Sequence, residues 1–246
     1  MRKLSNILGP LAICLGVSAC AGLTGGANGR LPSLQTARVA LKSGAADMAL
    51  SICRQLSASQ PRSLEPLVCM GDAATLSGDA EEARTSYAAA LSLDPQAPAA
   101  LLGMGRLTLP GDPRQAEQIF GRLLALDPRD AIALNDIGIT QDLQGRPDEA
   151  QASYARAIAA DPSMRAASIN LALSLAIQGQ PGPALTRLPQ HAGGSGASVR
   201  ERHDVAALLA MAGRDAEAAE LLGADLSQSE ISEALSGFRA LADRSR

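Results

Sequence analysis

Aromatic side chains are nearly absent: among 246 residues there are two Tyr, two Phe and no Trp. Base and sugar stacking both need aromatic platforms, and a formal net charge of −3 opposes phosphate. Nucleic-acid binding and a carbohydrate cleft are therefore excluded. Histidine is scarce too, with His191 and His203 far apart and neither having a partner at metal-ligand spacing. Only two lysines occur, Lys3 and Lys42, and no phosphate loop surrounds Lys42. Gly103-Met-Gly105 lacks the third glycine of a dinucleotide fingerprint. Ser195, within Gly193-Gly-Ser-Gly196, follows no strand and reads as linker rather than nucleophile. The acidic pairs Glu81-Glu82 and Asp148-Glu149 fall at helix starts, where they complement the helix dipole. No catalytic residue, metal, cofactor or small-molecule substrate is expected. What the chain has instead is 46% hydrophobic and 19% charged residues, enough apolar content to fold. Its many Ala and Leu favour helix.

The amino terminus is for targeting. Arg2 and Lys3 precede a mostly apolar run from Leu4 to Val17, too short and too interrupted by Asn6 and Pro10 to span a membrane. Val17-Ser-Ala-Cys20 resembles a bacterial lipobox, which implies lipid attachment at Cys20; ordinary cleavage after Ala19 is the competing reading. Ala21 takes the place where that family's Asp would imply inner-membrane retention, so the outer membrane is expected. Residues 1–19 are then the signal peptide and 20–29 a flexible linker behind the lipidated cysteine. Cys53 and Cys69 are left as thiols. An oxidising compartment permits a bridge between them, but they are read here as small buried hydrophobes.

Proline punctuates the remainder. Pro61, Pro95, Pro128 and Pro162 recur at intervals of 34, 33 and 34, and three of them follow Asp94, Asp127 and Asp161. Eight residues before each proline stand Cys53, Tyr87, Phe120 and Tyr154. Ala49, Ala83, Ala116 and Ala150 come twelve before, and Gly44, Gly78, Gly111 and Gly145 seventeen before. A Gly past a helix permits a left-handed reversal and a Pro closes the next helix, so each unit reads as helix, turn, helix, turn. The pattern continues at Ala172, Gly179 and Ala184, then breaks at Ala192-Gly-Gly-Ser-Gly-Ala197.

Leu134, Ile137, Gly138, Ala150, Tyr154 and Pro162 resemble the tetratricopeptide repeat pattern, with Leu in place of its Trp. The resemblance implies an all-α, right-handed superhelix of antiparallel helix pairs: five repeats over 30–190, a flexible break at 191–198, and a degenerate repeat with a capping helix over 199–246. Ser227 with Glu230 makes the capping box of that last helix, whose Ile231, Ala234, Leu235, Phe238 and Leu241 share one face. The aromatic slot is expected to be core. Arrays of this family receive a peptide or helix in a concave groove lined by first helices, and helical spacing nominates Asn135, Ile139, Asp142, Ile169 and Leu173 for it.

The lipobox, the repeats and the block beginning Val199-Arg-Glu-Arg-His-Asp-Val together resemble the TadD-type lipoproteins of tight-adherence (Flp) pilus systems. So do Asn135-Asp-Ile-Gly-Ile-Thr-Gln-Asp and Ile169-Asn-Leu-Ala-Leu-Ser-Leu. Glu201, His203 and Asp204 depart from that family. The resemblance implies a non-enzymatic, lipid-anchored outer-membrane scaffold facing the periplasm, with the pilus secretin or another pilus assembly component as protein partner. The alternatives are an adaptor for peptidoglycan or other envelope enzymes, and a soluble periplasmic hydrolase.

Overall fold

A computed structural model describes residues 33–190 and 192–243; the signal segment, Cys20, the linker and His191 lie outside the described residues. Those residues form thirteen helices and no strand. Helices pair as α1 (Leu34–Lys42) with α2 (Ala46–Ser59), α3 (Leu64–Ser77) with α4 (Ala80–Leu93), and α5 (Pro98–Thr108) with α6 (Pro113–Leu126). Then come α7 (Ala131–Leu143) with α8 (Pro147–Ala160), α9 (Arg165–Ile177) with α10 (Pro181–Leu185), and α11 (Val199–Met211) with α12 (Asp215–Leu222). The last helix, α13 (Gln228–Asp243), packs on α11, α12 and α9. The array is a tetratricopeptide-type superhelix.

The recurring residues have separate jobs. Gly44, Gly78, Gly145 and Gly179 all adopt positive φ between 69° and 81°, which closes each first helix and turns the chain into the second. Gly111 differs: its φ is not positive, because α5 ends at Thr108, whose carbonyl accepts from both Gly111 and Asp112, and Pro110 shortens the reversal by one residue. That local change produces the single interval of 33. Before three of the prolines, the Oδ1 atoms of Asp94, Asp127 and Asp161 each accept from the backbone N–H two residues on, at 2.9 Å. The Asp-Pro pair thus folds the connection to the next unit as an Asx turn. Pro98, Pro113, Pro147 and Pro181 sit in the first turns of their helices, where a missing N–H costs nothing.

Close approach within a unit depends on a small residue facing a large one. Gly71, Gly105 and Gly138 lie against the rings of Tyr87, Phe120 and Tyr154, all buried. In the fifth unit Ala172 packs with Leu188, which stands one interval after Tyr154. The second helix of that unit is cut to five residues, α10, between the Pro181-Gly-Pro183 start and Pro189. The glycine-rich stretch after it is seated on α11: Gly193 lies against Val205, and Arg202 donates to the Ala197 carbonyl at 2.7 Å.

The reading of Cys53 and Cys69 as free thiols is overturned. Both are buried, but they form a disulfide joining α2 to α3 across a Cα–Cα distance of 5.9 Å, within the range a disulfide bridges. Sequence spacing carries no such geometry. The terminal helix closes the array through Ile231, with Ala234, Leu235 and Phe238 against Val205, Leu209 and Leu222. Leu241, expected on that face, is exposed because α13 runs past the core there.

Candidate partner-binding groove

First helices line one face of the array, with α1 touching α3, α3 touching α5, α7 touching α9, and α9 touching α11. Between α5 and α7 the bridge is an ion pair, Arg106 Nε donating to Asp136 Oδ2 at 2.7 Å. A cavity of about 530 Å³ opens beside it and extends across α9 to the start of α11. Asn135, Ile139 and Ile169 line this cavity.

Asp142 and Leu173 do not. Asp142 points between helices: its Oδ2 accepts from the Tyr154 hydroxyl at 2.9 Å and its Oδ1 from Ser174 Oγ at 2.8 Å. Burial pushes its carboxyl above the ordinary range, and the hydrogen bonds from Ser174 and Tyr154 oppose that shift. Leu173 packs into the apolar clusters around Leu209 and Leu208 instead. Stepping i, i+4, i+7 along α7 carried the choice past the groove and into the seam with α8 and α9.

The polar floor is a connected network. Asn170 donates its amide to Asn135 Oδ1 at 2.8 Å, and Asn135 donates to Asp136 Oδ1 at 3.1 Å. Asn135 and Asp136 are each only 4% exposed, so these bonds satisfy groups that burial would otherwise penalise. At the α11 side Arg165 pairs with Glu201, and Arg200 approaches Asp204 at 3.8 Å. Burial raises the Asp204 carboxyl, and the Arg200 charge lowers it in opposition. Helical spacing did not nominate Arg106, Asp136, Asn170, Arg200, Glu201 or Asp204 for the groove, although all of them line the cavity. A signal was available: Asp136, Asn170 and Asp204 are spaced by 34 and 34, one position after the residues chosen in the fourth and fifth units. Among the described residues, no group of three His, Cys, Asp or Glu is placed to hold a metal ion, and no helix is long and apolar enough to cross a membrane.

Models of the tetratricopeptide repeat match residues 70–97, 111–149 and 142–185. No curated protein matches the chain. Among solved structures, a tetratricopeptide repeat protein from Parabacteroides merdae is similar at 17% identity and TM-score 0.68, over 84% of this chain and 82% of its own. PilW, described as a widely conserved type IV pilus biogenesis factor, is similar at 20% identity and TM-score 0.65, over 83% of this chain and 95% of its own. Pseudomonas aeruginosa PilF follows at 16% identity and TM-score 0.64, over 84% and 95%. At such identities the likeness is one of fold. The chain carries tetratricopeptide repeats wound into a superhelix, the architecture of a protein-interaction scaffold.

Proposed function

We propose that the chain is a non-enzymatic outer-membrane lipoprotein, anchored through Cys20 and facing the periplasm, that binds the secretin or another assembly component of a tight-adherence pilus. The observation that carries this reading is the cavity between α5 and α11, a concave surface whose polar groups are tied to one another rather than poised around a reacting atom. The extent of the likeness to PilW lends it support, since almost all of that pilus biogenesis factor is covered. The anchor's role is confinement: holding the array at the membrane raises its effective concentration toward an outer-membrane partner without any new contact.

The test is in vivo crosslinking from a photoreactive residue at position 170, with position 156, exposed on α8, as control. Capture of a secretin or pilus component from 170 and not from 156 is expected. Equal capture from both positions rejects the groove. Cys20→Ser, in parallel, is expected to release a folded protein into the periplasm and impair partner localisation; continued outer-membrane fractionation with normal assembly rejects the lipid anchor.

A further inference from the structure

A second cavity, of about 350 Å³, lies on the first-helix face at the amino-terminal end of the array, between α1, α3 and the start of α5. It shares no lining residue with the larger one. Leu41, Val68, Cys69 and Pro98 contribute apolar wall, and Cys69 is fixed in place by its bond to Cys53. The volume suits an anchoring side chain in a preformed site.

The border of this slot is acidic. Glu65, Asp72 and Asp94 line it against the single cation Arg38. The Ser63 hydroxyl donates to Glu65 at 2.6 Å and holds that carboxyl below its usual range, so it is ionised. Asp72 Oδ1 accepts from the Tyr87 hydroxyl at 2.7 Å, and Asp94 Oδ1 from the Gln96 N–H at 2.9 Å. Among the described residues, no lysine or arginine closes an ion pair with any of the three. The next cation along the face, Arg106, pairs with Asp136 and also acts on Asp72, whose carboxyl burial raises while the Tyr87 hydrogen bond and the Arg106 charge oppose the shift. Glu82 and Glu117, on the surfaces of α4 and α6, are by contrast paired with Arg54 and Arg146. An apolar slot lined by three carboxyl groups against one guanidinium is complementary to a ligand that is aliphatic and positively charged.

We infer that this slot receives a protein segment in which a branched aliphatic side chain stands beside Lys or Arg, the aliphatic group entering the cavity and the cation meeting Glu65, Asp72 and Asp94. The inference rests on the reading of the first-helix face as a protein-binding surface, and gives that surface a second, chemically distinct anchor point.

The experiment uses the mature full-length protein and a fluorescein-labelled peptide, Ser-Gly-Leu-Lys-Leu-Arg-Gly-Ser, followed by anisotropy, with a counterpart carrying Glu in place of Lys and Arg. The basic peptide is expected to bind and the acidic one not. Glu65→Gln with Asp94→Asn preserves side-chain shape and the Asx turn, and is expected to weaken binding roughly three- to tenfold. Asn170→Arg, in the other cavity, is expected to leave it unchanged, with circular dichroism checking the fold of both variants. Equal binding of the acidic peptide, or an unaltered affinity in the double variant, overturns the inference. So does a dimer in sedimentation that the double variant abolishes and the basic peptide fails to dissociate, because the occupant is then a second copy. If the peptide fails while crosslinking from position 170 succeeds, the slot alone is wrong; if crosslinking fails while the peptide binds, the fault lies with the pilus reading.

Discussion

A Cβ added at Gly138 would stand 2.4 Å from Cε1 of Tyr154, so the fourth unit closes only because residue 138 has no side chain. The backbone of α7 rests directly on the buried ring of α8. Gly71 with Tyr87 and Gly105 with Phe120 repeat the relationship at the same 2.4 Å, and Tyr87 is also pressed by Gly103 from the following unit.

Gly138→Leu, and to a smaller degree Gly138→Ala, must therefore move the ring or part the helices, at a cost of about 1 to 3 kcal/mol. Gly121→Ala is the control of opposite sign. It lies within α6 with nothing within 4 Å of its added Cβ and without positive φ, so the change is expected to stabilise by about 0.5 to 1 kcal/mol. Thermal melts of both variants check the pair; an unchanged midpoint for Gly138→Leu contradicts the packing.

Most of this fold is legible in the sequence because each recurring residue answers one local demand. Gly44 and Gly78 supply the left-handed reversal, Asp94 and Asp127 fold the connection, and Tyr87 and Tyr154 fill the space that glycine leaves. Two things were not legible. The pairing of Cys53 with Cys69 depends on a Cα separation that spacing does not encode. The groove depends on helix rotation, and one residue of phase separates Asn170, in the cavity, from Ile169, which is largely core yet touches its wall. Asp142 shows the same error at larger angle, since it serves Tyr154 and Ser174 instead of a ligand.

The disulfide joins residues separated by 16 in sequence, and a loop of that length confines the unfolded chain by about 3 kcal/mol in the chain-entropy model. Cys53→Ser with Cys69→Ser is expected to lower the melting midpoint by a corresponding amount, and thiol labelling of the purified native protein is expected to find both cysteines blocked. Free thiols at either position contradict the pairing.

Asp142 sets a pH dependence. Its carboxyl is raised in the folded state, so across the window from the unfolded value near 4 upward to the folded one the native protein binds more protons than the unfolded chain. Its contribution therefore favours folding at acid pH and is lost as pH rises through the folded value. Asp142→Asn keeps an acceptor for Tyr154 and removes the charge, so its stability relative to wild type is expected to be more favourable at pH 7.5 than at pH 4. Melts at the two pH values test the sign, and a difference that does not change with pH contradicts it.

The groove's structure and its use are separable. Arg106 is about half exposed, yet it meets an Asp136 that is almost wholly buried and that also holds Asn135. Removing the guanidinium leaves that carboxylate without its cation, so Arg106→Ala is expected to destabilise by roughly 1 to 2 kcal/mol, the exposed partner making the loss smaller than for a fully buried pair. Ala166→Trp acts differently. Ala166 is exposed at the cavity wall and has no side-chain hydrogen bond to lose, so a large ring there obstructs the cavity while the core of α9, built from Ala167, Leu171 and Ala172, is untouched. Partner capture is expected to fall at least tenfold with little change in the melting midpoint. A variant that melts normally and still captures the partner at full strength places the binding surface elsewhere on the superhelix.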